Sequence, residues 1–142
     1  MKNVTKLVVR VGLLSLLSVM PLAAQITDGG VGFTTSFPFY AGNAKMPAGS
    51  YKIIQPDNGG SILQIQSNDG ARSALIEFMP THSEQRHLHS DVTFHKYGDT
   101  EYLNRIWVGG QRYGMKVEPT KAEMKAATNA NVVEHSQSAS LR

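Results

Sequence analysis

The 142 residues contain no cysteine. A disulfide framework, a thiolate metal site, a cysteine nucleophile and a lipid-bearing lipobox cysteine are therefore excluded together. Long apolar runs are also missing: the longest, Val11 to Met20, falls short of the roughly twenty residues that a membrane helix requires. The chain has no G-x-S-x-G elbow, no phosphate-cradling glycine loop and no H-E-x-x-H helix. Its Asp and Glu residues fall mostly at turn positions, so no carboxylate pair can be nominated for glycoside cleavage. These absences argue against an enzyme and leave a hydrolase without a recognisable motif as a second alternative.

Lys2, Lys6 and Arg10 precede the Val11 to Met20 run, and small residues follow at Ala23 and Ala24. That order is a secretory signal peptide over residues 1–24 with cleavage after Ala24, the bulk of Leu22 allowing the site to move by a residue or two. The expected location is the periplasm or the extracellular medium. Three of the 14 basic residues belong to this leader, so the mature chain carries 11 basic against 11 acidic residues. A net charge of zero gives no electrostatic footprint for nucleic acid, and the high isoelectric point is a property of the leader. The 118 residues left after removing 24 from 142 are the size of one ordinary domain, placed at 25–128 and able to build a core without staples.

Along that domain apolar residues recur with a period of two between turn residues, the pattern of an all-β protein. We expect a small antiparallel β-barrel or sandwich of about 7–8 short strands with a short C-terminal helix. Val31, Phe33, Thr35, Phe37 and Phe39 form the inward face of a first strand, which Pro38 bends or confines to a sheet edge. Pro47 and Gly49 suit a type I turn into SYKIIQP, where Tyr51 and Ile53 face inward. Turns at Asn58 to Gly60 and Asn68 to Gly70 bracket a strand carrying Leu63 and Ile65. Ala74, Ile76 and Phe78 make the inward face of the next.

The stretch FHKYGDTEYLNRIW is the clearest hairpin. Gly98-Asp99 as a two-residue loop sets Tyr97 opposite Thr100, Lys96 opposite Glu101, His95 opposite Tyr102 and Phe94 opposite Leu103. One face then carries Val92, Phe94, Leu103 and Trp107. The other carries His95, Tyr97, Tyr102, Ile106 and Val108, which is too apolar to face water uncovered. Tyr97, Tyr102 and His95 could alternatively form an exposed platform for a glycan or peptide. QRYGMKV reads as a last strand, Thr120 and Glu123 as a capping box for a helix from Lys121 to about Thr128, and residues 129–142 as a disordered tail.

The longest predicted connection, PTHSEQRHLHSD, holds His82, His87 and His89 near Glu84 and Asp91, with His95 further on. In an extended segment His87 and His89 point to one side, which supports a periplasmic metal-binding protein as an alternative function. One such pair does not make the three or four ligands zinc needs, so no metal, cofactor or catalytic residue is assigned.

Phe39 to Asn43, Met46 to Tyr51 and Phe94 to Asp99 resemble two motifs, PAGxY and FHxYGDxxxL, of a family of small secreted β-rich proteins common in acidobacteria. Met46 stands where that family usually has Leu. The resemblance spans roughly residues 30 to 125. It implies a secreted, mostly β domain and brings no catalytic residues. Taken together, the expected function is a non-catalytic binding or envelope-associated β module with a protein or glycan partner in the cell envelope.

Overall fold

The computed structural model describes residues 30–56 and 60–141. The expected leader with its cleavage point at Ala24 lies outside them, as do Asn58 and Gly59 of one expected turn. Ten strands and one helix follow in order: β1 (Val31–Thr35), β2 (Phe39–Ala41), β3 (Ala44–Met46), β4 (Gly49–Ile54), β5 (Ile62–Ser67), β6 (Ser73–His82), β7 (Asp91–Tyr97), β8 (Thr100–Trp107), β9 (Tyr113–Val117), α1 (Lys121–Asn129) and β10 (Val132–Leu141).

Eight of the strands close a barrel in the order β1-β4-β5-β6-β9-β8-β7-β10 and back to β1, every neighbour antiparallel. Closure is possible because β8 divides its partners: Arg105 to Trp107 pair with β9, while Tyr102 meets Tyr40 of β2 in a single parallel bridge. The β2–β3 hairpin is therefore an attachment to the barrel. Pro38 explains the arrangement, since it donates no ladder hydrogen bond and breaks the expected long strand between Thr35 and Phe39.

Inward positions alternate as the sequence pattern requires. Val31, Phe33, Tyr51, Ile53, Leu63, Ile65, Ile76, Phe78, Val92 and Phe94 are all buried. Phe39 of β2 packs its ring against Phe33, Tyr51 and Phe94 at centroid distances of 6.0, 5.2 and 5.3 Å, so the attached hairpin plugs the barrel at these rings. Each such side chain contributes about 1.5–3 kcal/mol by leaving water.

The β7–β8 hairpin has the register read from its turn, from Tyr97 opposite Thr100 to Phe94 opposite Leu103. Gly98 takes the positive φ of 60° that a two-residue hairpin turn demands. Beyond Leu103 the register shifts, because Asn104 has no partner and Thr93 pairs with Arg105. This bulge corrects the expected faces: Ile106 turns inward opposite Val92 and is fully buried, whereas Trp107 turns to the outside.

The largest correction concerns residues 129–142. Val132–Leu141 are not a disordered tail but β10, which pairs with β7 over seven residues and with β1 over three. Sequence pattern misses such a strand because its order comes from the free main-chain groups of β1 and β7, not from apolar residues of its own.

Candidate functional site

The outer face of the β7–β8 hairpin, expected to need a cover, has two. The helix α1 lies over His95 and Tyr97, and the connection between β6 and β7 lies over Trp107. Between α1 and the sheet is a groove of about 250 Å³. Its polar lining is His95, Tyr97, Asn104, Lys116 and Glu123, and its apolar lining is Val117, Pro119, Met124 and Ala127.

Each polar side chain arrives by a distinct local cause. Asn104 faces the groove because it is the bulged residue of β8, and a bulge re-aims one side chain without ending the strand. Thr120 caps α1 by accepting a hydrogen bond from the Glu123 amide at 3.2 Å, as the capping-box reading required. The Glu123 carboxylate instead turns under the helix, 3.8 Å from His95 Nδ1. It is the one buried residue of α1, so the helix is anchored to the barrel through a carboxylate. On the other side of the ring, His95 Nε2 lies 2.9 Å from Glu134 Oε2, which also accepts from Asn104 at 3.3 Å and faces Arg105 at 3.6 Å.

Glu123 is the unusual member. Its side chain is only 10% exposed, and among the described residues it has no hydrogen-bond donor, His95 standing too far for one. Burial pushes its carboxyl above the ordinary 4.5, with His95 and Lys116 pulling partly back. Burial likewise raises the Tyr97 hydroxyl, with the Glu123 charge adding to it, so that phenol stays protonated at neutral pH, with its oxygen in a long 3.4 Å contact to His95 Nδ1.

The linkage follows from that direction. A carboxyl raised in the folded state favours folding below its unfolded value and loses that contribution as pH rises through the folded value. At neutral pH the buried Glu123 charge therefore costs stability. Glu123→Gln is expected to raise the melting temperature by a few degrees at pH 7 and to make no difference at pH 4. A lower melting temperature at pH 7 in scanning calorimetry would mean that the carboxylate is a net-stabilising partner of His95.

The histidines of the long connection are not brought together. His82 belongs to β6, where it pairs with Tyr113 and packs on its ring at 5.2 Å. His87 stacks flat on Trp107, with centroids 4.1 Å apart, and its Nδ1 is 3.8 Å from Asp91. His89 is exposed. The segment between Ser83 and Ser90 is not extended, so the two-residue spacing of His87 and His89 does not align them; main-chain bonds from His87 to Gln111 and from Gly110 to His87 fold it onto the β8–β9 turn. Among the described residues no group of three or more His, Asp or Glu is placed to hold a metal ion.

Tyr102 does not serve as a platform, being covered by Tyr40 at 5.4 Å and by Tyr97 at 5.9 Å. His95 and Tyr97 keep part of their surface at the groove. Sequence reasoning named His95 and Tyr97 but took Glu123 for a cap and Glu134 for part of a tail. The available signal was the capping-box Glu itself, which sits in the first turn of a helix that must bury some face against the barrel. Among the described residues no helix is long and apolar enough to cross a membrane. Comparisons with family models, with curated proteins and with solved structures find no match to this chain.

Proposed function

We propose that the protein is an exported, non-catalytic binding module whose groove beneath α1 holds a neutral glycan unit. The single observation that carries this is the Glu123 carboxylate, largely buried where the groove opens and without a hydrogen-bond donor among the described residues. A hydroxyl-rich ligand supplies the missing donors and takes hydrogen bonds from Tyr97 and Lys116 in return, Asn104 already having its amide on Thr93 and Glu134. Both signs of charge line the groove, which suits a neutral polar ligand better than an ion. The apolar wall of Val117, Pro119, Met124 and Ala127 matches the C–H face of a sugar ring, and the volume, just below the usual range of ligand sites, suits a single sugar unit. Export rests on the leader at residues 1–24 and on the resemblance of the two motifs to small secreted β proteins.

A titration of wild type, Glu123→Gln and Tyr97→Ala against a panel of neutral oligosaccharides, with a peptide panel alongside, tests the reading. Saturable binding to one class of oligosaccharide is expected, weakened about tenfold or more in Glu123→Gln, the loss of one charged hydrogen-bond partner being worth about 1.5–3 kcal/mol. Equal binding by wild type and Glu123→Gln, or binding by peptides alone, would overturn it.

A further inference from the structure

Among the described strands, β10 is the one that buries no residue. Every other strand of the barrel contributes at least one side chain to the interior, whereas the inward positions of β10 are His135, Gln137 and Ala139, all only partly covered. Its outward positions between Glu134 and Ser140 are Ser136 and Ser138. Withdrawing this strand therefore extracts no large apolar group from the core.

What holds β10 is main-chain pairing to β7 and β1, two acid–imidazole contacts on opposite faces, the Asn104 and Arg105 contacts of Glu134 and the edge of Phe37 on His135. Glu134 meets His95 at 2.9 Å outside the barrel; His135 meets Glu101 at 2.7 Å inside it, stacked on Phe94. These two contacts form a code: an acid followed by a histidine on the strand, read by a histidine and an acid on the wall.

We propose that β10 exchanges between two copies of the chain, so that the slot between β1 and β7 of each barrel is filled by β10 of the other. An empty slot presents two rows of unpaired main-chain groups, which is a template for strand addition. A foreign strand satisfies the backbone, but only Glu-His in the right register satisfies His95 and Glu101, so the occupant is a second copy. Exchange leaves the number of bonds unchanged, because every contact that β10 makes at home it remakes in the partner barrel. The hinge is Ala130-Asn131, two residues between α1 and β10, with Ala130 already extended at φ −146° and ψ 153°. A hinge this short favours straightening over folding back. With α1 still anchored by its own Glu123, the His95 and Asn104 that line each groove are held in the dimer by Glu134 of the partner subunit.

The chain lacks cysteine, so introduced thiols report on this alone. Thr93 and Ser136 face each other across β7 and β10. Thr93→Cys and Ser136→Cys proteins, purified separately, mixed at high concentration and oxidised, are expected to give a covalent heterodimer of twice the monomer mass. The double variant, oxidised before mixing, locks β10 in its own barrel and is expected to give none. An internal disulfide in the double variant with no heterodimer from the mixed singles would overturn the proposal. Independently of any substitution, native mass spectrometry of unlabelled and 15N-labelled chains, concentrated together and then diluted, should show mixed dimers; monomers alone would overturn it equally.

Discussion

Phe94→Ala is expected to lower stability by about 3–5 kcal/mol, a large part of the 5–15 kcal/mol that a domain commonly has. Phe94 is fully buried and is the residue on which the aromatic core converges. Its ring lies 6.1 Å from Phe33, 5.1 Å from Phe37, 5.3 Å from Phe39 and 5.9 Å from His135. Three of those partners are held by separate elements, β1, β2 and β10, so no single side chain can move in to fill the space. The cost therefore combines lost transfer energy, lost ring contacts and an unfilled cavity. Urea unfolding should show the midpoint falling by about 2 M with little change in slope, given slopes of about 1–3 kcal/mol/M for small domains. Phe94→Leu, which keeps most of the volume, is expected to lose less than half as much. A loss below about 1 kcal/mol in Phe94→Ala would mean that the plugging hairpin does not pack as described.

Gly114→Val is expected to cost about 3 kcal/mol by the opposite mechanism, overcrowding. Gly114 of β9 sits opposite Trp107, whose ring lies over it, and an added Cβ would overlap that ring and come within 2.8 Å of the Ile106 carbonyl oxygen. The indole has no free direction of retreat because His87 is stacked on its other face at 4.1 Å. The Ile106 carbonyl belongs to the barrel wall and moves only with β8 itself. Relief thus requires Trp107 to leave His87, which would release the β6–β7 connection. As Trp107 is the one tryptophan of the chain, its emission reads the change directly. A red-shifted emission with a melting temperature lowered by about 10 °C is the expected pair of results. Wild-type emission and melting would show that the strand yields instead.

The same bulge accounts for both the site and the misreading of its neighbourhood. From Tyr97 to Phe94 the pairing was legible, because a two-residue turn with glycine at its first position determines register for as long as both strands advance residue for residue. At Asn104 β8 spends one extra residue. Nothing in LNRIW announces this, since either Ile106 or Trp107 could serve inward and the choice is made by β9, which lays Gly114 beneath the indole. The helix was legible from Thr120, Glu123 and the alanine-rich run after them, but not the direction of the Glu123 carboxylate, which depends on where His95 lies across the fold.

By itself the sequence determined the elements whose causes are local. Alternating apolar residues specified β-strands with Tyr51, Ile53, Leu63 and Ile65 inward, Pro38 broke the first of them, and Gly98-Asp99 made the hairpin. Those signals act over a few residues, through side-chain period and allowed backbone angles, and they indicated an all-β domain with one short helix. Tertiary structure decided what depends on distant partners. It chose barrel closure through β10, a strand with no apolar pattern, because the open edges of β1 and β7 needed main-chain partners. It separated His82 and His87 by giving each a different neighbour, left His89 exposed, and gathered His95, Asn104 and Glu123 from three elements around one groove, with Glu134 of a fourth behind His95.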